Sequence, residues 1–97
     1  MRVTWDEDKN VANREKHDVS FEETSALFTQ DIEYFEIFDD AHSEDEDRFI
    51  AIGPIVRGVV LAVYTQQDDD TVRIISARWA TDREAEMYRS HIGGRGP

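Results

Sequence analysis

The side chains best equipped for chemistry in this sequence are arginines at the ends of apolar runs. Arg73 and Arg78 flank Ile74-Ile75-Ser76-Ala77. A guanidinium is planar, always charged and two-pronged, which suits it to gripping phosphate. In an ideal strand Arg73 shares a face with Ile75 and Ala77, while Arg78 shares one with Ile74 and Ser76. The two converge only if a bulge or the strand end reorients one of them. Arg48 and Arg57 also fall in or beside apolar segments. One reading is a phosphate clamp that stabilises a pentavalent transition state. The other is surface ion pairing with some of the 22 acidic residues, and composition by itself favours that simpler reading.

Lys16-His17 forms a second candidate pair. His17 can move a proton and Lys16 can hold a phosphate. Equally, both can do no more than complement the C-terminus of a helix. His42 and His91 have no second histidine at ligand spacing, so no histidine metal site is expected. The acids at 44–47 lack the glycine turn and ligand order of a calcium loop. Trp5 and Trp79 are able to stack on bases, although a half-buried core position is the commoner role and the one expected of Trp5. There is no glycine-rich phosphate loop, nucleophile elbow or zinc-binding Cys/His set. No cofactor is expected.

These groups must be carried by identifiable elements. Residues 2–5 suit a short first strand. Asp6 or Asp8 caps a helix reaching about His17, acidic in its first turn and basic in its last. Ser20-Phe21-Glu22-Glu23 is a capping box that opens a short second helix, with Phe21, Leu27 and Phe28 on its apolar side. Ile32 to Phe38 reads as a strand. Six of the nine residues Asp39–Asp47 are acidic, which predicts a solvated loop. Arg48 to Gly53 is the next strand, followed by a turn bracketed by Gly53-Pro54 and Gly58. Val59 to Thr65 is apolar almost throughout, as expected of a strand covered on both faces. Gln66 to Asp70 makes a hairpin turn, and Thr71 to Arg78 is the last strand. Thr81-Asp82-Arg83-Glu84 opens a final helix that ends at Gly93 and Gly94. The order β-α-α-β-β-β-β-α predicts an α+β fold: an antiparallel sheet with two N-terminal helices and one C-terminal helix. The strands at 59–65 and 71–78 should be central neighbours.

The bulk numbers set the limits. The chain has 97 residues, 39% of them aliphatic or aromatic, enough for one folded domain spanning 1–97. It has no cysteine, so neither disulfides nor thiolate chemistry enter. No run is apolar enough for a membrane span or signal peptide, and a cytoplasmic protein is the default. The net charge of −11 opposes broad binding to a nucleic-acid backbone. Such acid either lies away from a small basic site, meets a basic partner, or reflects a salty cytoplasm. Only Lys9 and Lys16 among the eleven basic residues are lysines, which fits the last.

Two blocks resemble one family. Trp5-Asp6-x-x-Lys9-Asn10-x-x-Asn13-x-x-Lys16-His17-x-Val19-Ser20-Phe21-Glu22-Glu23 is similar to the opening of the BrnT toxins. So are Arg48-Phe49 after an acidic loop, then Arg73-Ile74-Ile75-Ser76-Ala77-Arg78-x-Ala80-Thr81-x-x-Glu84, and finally Tyr88. The likeness spans about residues 3–89. It implies a RelE-like fold and metal-independent RNA cleavage that inhibits translation. It also implies a BrnA-like ribbon-helix-helix antitoxin, with promoter DNA bound only through the complex. In that chemistry the ribose 2′-hydroxyl attacks the adjacent phosphate, and the protein must stabilise charge and move protons. Arg73 and Arg78 would supply charge. Arginine is a poor base, so His17 or a carboxylate such as Glu22 would move the proton. Lys16, Arg48 and Arg57 would bind substrate. Two positions depart from the pattern: Trp79 stands where a basic residue is frequent, and Asp18 where glycine is usual. The first would remove a charge beside the site. The alternative is therefore a catalytically weak or inactive module that engages a ribbon-helix-helix repressor and modulates its DNA binding.

Overall fold

Alternation of apolar residues and short turns decides most of this architecture. The computed structural model describes residues 1–42 and 46–93. Its elements are β1 (Arg2–Thr4), α1 (Glu7–His17), α2 (Phe21–Thr24), α3 (Ala26–Thr29), β2 (Phe35–Phe38), β3 (Arg48–Ile55), β4 (Gly58–Asp68), β5 (Thr71–Trp79) and α4 (Asp82–Gly93). The sheet runs β1-β5-β4-β3-β2, with the apolar β4 at its centre. β4 and β5 pair antiparallel, as expected of the last two long strands. Ser43 to Asp45 of the acidic stretch, and Gly94 at the expected helix end, lie outside the described residues.

The sheet is mixed, which corrects the expected antiparallel arrangement. β1 pairs parallel with β5, Val3 opposite Val72. A three-residue strand has no hairpin turn to choose its neighbour, so its partner was not readable locally. The second helix is also broken, at Ser25. Thr24 Oγ1 donates to the Ser20 carbonyl at 2.8 Å, and Ser25 Oγ to that of Glu22 at 2.7 Å. Such back-bonding loosens and bends a helix. Gly53-Pro54 continues β3 rather than ending it, because Pro54 pairs with Val59 and the turn is only Val56-Arg57. Likewise β4 runs to Asp68, shortening the next turn.

One face of the sheet carries the core. Val60, Ala62, Tyr64, Val72, Ile74 and Ala77 are buried there with Val19, Phe21, Leu27 and Phe28 from the helical segments. Gly53 is required for this approach: a Cβ would sit 2.9 Å from Leu27 Cδ2 and 2.8 Å from Tyr34 Cβ. The Tyr64 hydroxyl donates to Glu36. Burial, then that bond, pushes its ionisation far up, so it stays neutral. α4 packs against the strands β2 and β3, where Phe35 stacks on His91 at 4.9 Å. It leaves the β5 end of the opposite face open.

Candidate active site

The open face is built by a defect in β5. Register runs Val63↔Ser76 and then Tyr64↔Ile74, so Ile75 is an extra residue. This bulge reverses the alternation: Val72 and Ile74 face the core before it, and Ala77 does after it. Arg73 and Arg78 therefore share the face opposite the core, the one geometry in which both can serve one site.

α1 brings the second group of residues. Asp6 caps its start, its carboxylate accepting from the Asp8 and Lys9 amides. It ends at Asp18, whose backbone is left-handed (φ 56°, ψ 34°). That conformation favours glycine, and aspartate is one of the few other residues that tolerates it. α1 has little apolar surface, and it is anchored by amides instead. Asn10 and Asn13 are buried. Asn13 Nδ2 donates to the Ala77 carbonyl at 2.8 Å, and its Oδ1 accepts from the Ala77 amide at 3.1 Å. The side chain thus pairs with the β5 edge beyond the end of β1, and it also bonds the Val19 carbonyl at 2.9 Å. Asn10 accepts from the Phe21 amide at 2.8 Å. Sequence reasoning assigned these asparagines no role. Asn10, Asn13 and His17 are spaced three and four apart, which puts them on one helix face, and that was the available signal.

The result is a cleft of about 560 Å³. Lys16 and His17 from α1, Arg48 from β3 and Arg78 from β5 line it over a floor of Ile50, Leu61 and Val63. Asp39 and Glu84 supply its acid. A smaller recess of about 230 Å³ adjoins it, sharing Lys16, His17, Ile75 and Ser76 and adding Lys9. Four sequence-predicted site residues, Lys16, His17, Arg48 and Arg78, thus meet in one place.

Arg78 is partly buried and firmly held. Its Nη1 and Nη2 donate to the Glu84 carboxylate at 2.8 and 2.9 Å, and Nη1 also to the Trp79 carbonyl at 3.2 Å. Glu84 closes the Thr81 capping box at the same time, accepting from the Thr81 amide at 2.9 Å. The Arg78 bond, then the Thr81 amide, holds the Glu84 carboxyl down at about 2 against the opposing effect of burial. A guanidinium has five N–H donors, and three bonds are made here. The remaining two, on Nε and Nη2, form one intact fork.

The other three predicted residues lie elsewhere. Arg73 is exposed and sits opposite Thr65 and Thr4, beyond the cleft lining. Glu22 accepts from Asn10 Nδ2 at 2.7 Å and does not line the cleft. Arg57 belongs to a structural cluster. It donates to Glu23 from Nε at 2.7 Å and Nη2 at 3.0 Å, and from Nη2 to the Asp18 carbonyl at 2.6 Å. Its guanidinium lies 5.1 Å from the Trp79 ring centroid. Trp79 packs on the core side, so the departure at this position does not take a charge out of the cleft itself.

A mixed-sheet α+β protein with lysine, histidine and two arginines around an open cleft is equipped to handle phosphate. Comparison with known proteins narrows this class. A family model described as the ribonuclease toxin BrnT of type II toxin–antitoxin systems matches residues 5–84, and the chain belongs to that family. The fold is similar to a crystal structure of the Brucella abortus ribonuclease toxin BrnT. The two share a TM-score of 0.62 and 24% identity, over 84% of this chain and 99% of that one. No curated protein matches. Membership implies an antitoxin partner and makes ribonuclease activity a property of the family. No described helix is long and apolar enough to cross a membrane.

Proposed function

We propose that this chain cleaves RNA in the cleft between the end of α1 and the bulged end of β5, without a metal, and that a BrnA-like ribbon-helix-helix antitoxin neutralises it. The supporting observation is the convergence of Lys16, His17, Arg48 and Arg78 on one cleft in a chain of net charge −11. Self-cleavage at a ribose needs an oriented 2′-hydroxyl, a site for added negative charge and a proton carrier. The open Nε/Nη2 fork of Arg78 meets the developing charge on phosphate. His17 moves the proton, because Glu22 lies away from the cleft. Lys16 and Arg48 hold the substrate phosphates. A RelE-like grouping of the fold, and promoter binding only through the antitoxin complex, belong to the same proposal.

The test is RNA cleavage by purified, antitoxin-free protein in chelator. A substrate with 2′-deoxyribose at the cut site should resist, and the upstream product should end in a cyclic phosphate while the downstream product begins with a free 5′-hydroxyl. Cleavage of the deoxy substrate would reject this chemistry. One observation favours a second reading: Glu84 already occupies both η nitrogens of Arg78. A chain that cuts no RNA yet binds its antitoxin normally would be a binding module that modulates a repressor.

A further inference from the structure

Arg73 lies beyond the cleft, yet it lies in a row that leads out of it. On adjacent strands, directly opposed residues share a face. Arg48 opposes Thr65 on β4, and Thr65 opposes Arg73 on β5. Thr65 is on the same face as Leu61 and Val63, which floor the cleft, so the row Arg48–Thr65–Arg73 continues that surface. Arg78 opposes Leu61, four residues along β4 from Thr65. At about 3.3 Å per residue the two rows are roughly 13 Å apart. Arg48 belongs to the second row and also lines the cleft, so it links them.

The middle of the row carries an unexplained group. Thr65 is 2% exposed, and its Oγ1 has no hydrogen-bond partner. Hydroxyls buried this deeply are nearly always bonded, and one left unmet lowers stability. A hydroxyl with an unmet bond, set between two guanidinium-bearing positions, fits an anion with several acceptor oxygens.

We propose that Arg73 and Arg48, with the Thr65 hydroxyl, form a second phosphate subsite for single-stranded RNA, one that binds a phosphodiester further along the strand from the one held at Arg78. Resting on the functional reading above, this makes Arg73 a binding residue rather than a catalytic one. The subsite also gives the RNA a direction across the sheet, from the end of β5 towards β1, where Arg2 and Thr4 share the face with Arg73. The acid of Asp39 at the cleft opposes the phosphate there, so more than one guanidinium is needed to hold a strand against this protein's overall charge.

The experiment measures binding of a fully 2′-O-methyl RNA, which cannot be cut, to antitoxin-free protein across a salt series. Cleavage of the matching unmodified RNA is followed in single turnover. Arg73→Ala should weaken binding about tenfold, as removal of a charge-assisted bond does. It should also flatten the slope of log affinity against log salt by about 0.7 for each phosphate no longer neutralised. The same variant should raise the RNA concentration for half-maximal cleavage while changing the saturating rate far less. Thr65→Val should weaken binding with a thermal midpoint that holds or rises, because it removes an unmet hydroxyl. Arg89→Ala, which removes the same charge from a surface arginine paired with Glu86 at 3.5 Å, should do neither. Wild-type affinity in either Arg73→Ala or Thr65→Val overturns the subsite, as does an Arg89→Ala variant that weakens binding equally. Wild-type protein that neither binds nor cuts RNA overturns the functional reading as well.

Discussion

Two arginines in this molecule are gripped by the same device and end in different situations. Arg57 and Arg78 each bond the glutamate of a capping box, Glu23 after Ser20 and Glu84 after Thr81. In both boxes the carboxylate satisfies a helix N-terminus and an arginine together. The arginines differ in which edge they present. Arg57 uses its Nε/Nη2 fork on Glu23, adds Asp18 and covers Trp79, so its donors are largely spent. Arg78 gives Glu84 its terminal nitrogens and keeps the Nε/Nη2 fork. An arginine beside a capping box is thus structural or available according to the edge it has used, which counting charges cannot reveal.

That contrast is broken most easily through activity. Arg78→Ala should slow RNA cleavage by about 10²–10³, if its fork acts like a donor to a developing oxyanion. Lysine should rescue poorly, lacking the planar fork. Arg57→Ala should leave single-turnover cleavage close to wild type. Its effect belongs in a thermal or denaturant melt, as a modest loss of stability from charge-assisted bonds and a cation–π interaction that are half exposed.

Asn13→Asp sharpens the comparison from the other wall of the cleft. The carboxylate can still accept from the Ala77 amide but cannot donate to the Ala77 and Val19 carbonyls. Destabilisation by about 1–3 kcal/mol is expected for each of the two buried carbonyls left unmet. Cleavage should fall as well, because the end of α1 that carries Lys16 and His17 loosens. A variant as stable as wild type would remove the asparagine from its anchoring role.

The two glutamates also predict acid sensitivity. Arg57 for Glu23 and Arg78 for Glu84 hold each carboxyl at about 2, against an ordinary 4.5. Their folded values lie below the unfolded ones, so this contribution is complete above about 4.5 and is lost as pH falls through about 2. Acid melts of Glu84→Gln and Glu23→Gln should show a shallower dependence in that window than wild type. The smallest effect is expected at Asp18→Gly. Relief of left-handed strain, worth about 0.5–1 kcal/mol, is partly offset by a more flexible unfolded chain and by removal of the weak 3.4 Å bond from Arg57.

Much of this organisation was legible in sequence. Helix α1 begins at one of the two proposed caps, and both capping boxes form as written, because each is settled by residues three apart. The pairing of β4 with β5 followed from their length and the turn between them. The bulge at Ile75 was not legible: nothing in Arg73–Arg78 marks which residue is extra. The need for one was visible only as the condition for two arginines to share a face. The parallel β1 and the anchoring role of Asn13 were missed for a related reason. Both depend on partners more than sixty residues away, Val72 for Val3 and Ala77 for Asn13. Arg57 looked like a substrate ligand because its charge was visible and its three partners were not.

The central claim is that the cleft holding Lys16, His17, Arg48 and Arg78 is where RNA is cut. Its most direct test is single-turnover cleavage, in chelator, by antitoxin-free wild type, His17→Ala, Arg78→Ala and Arg57→Ala, each first shown to be folded. The account predicts metal-free cleavage by wild type and Arg57→Ala, and a drop of about 10²-fold or more in both His17→Ala and Arg78→Ala. Full activity in those two cleft variants, with activity abolished in Arg57→Ala while its fold is intact, would contradict it.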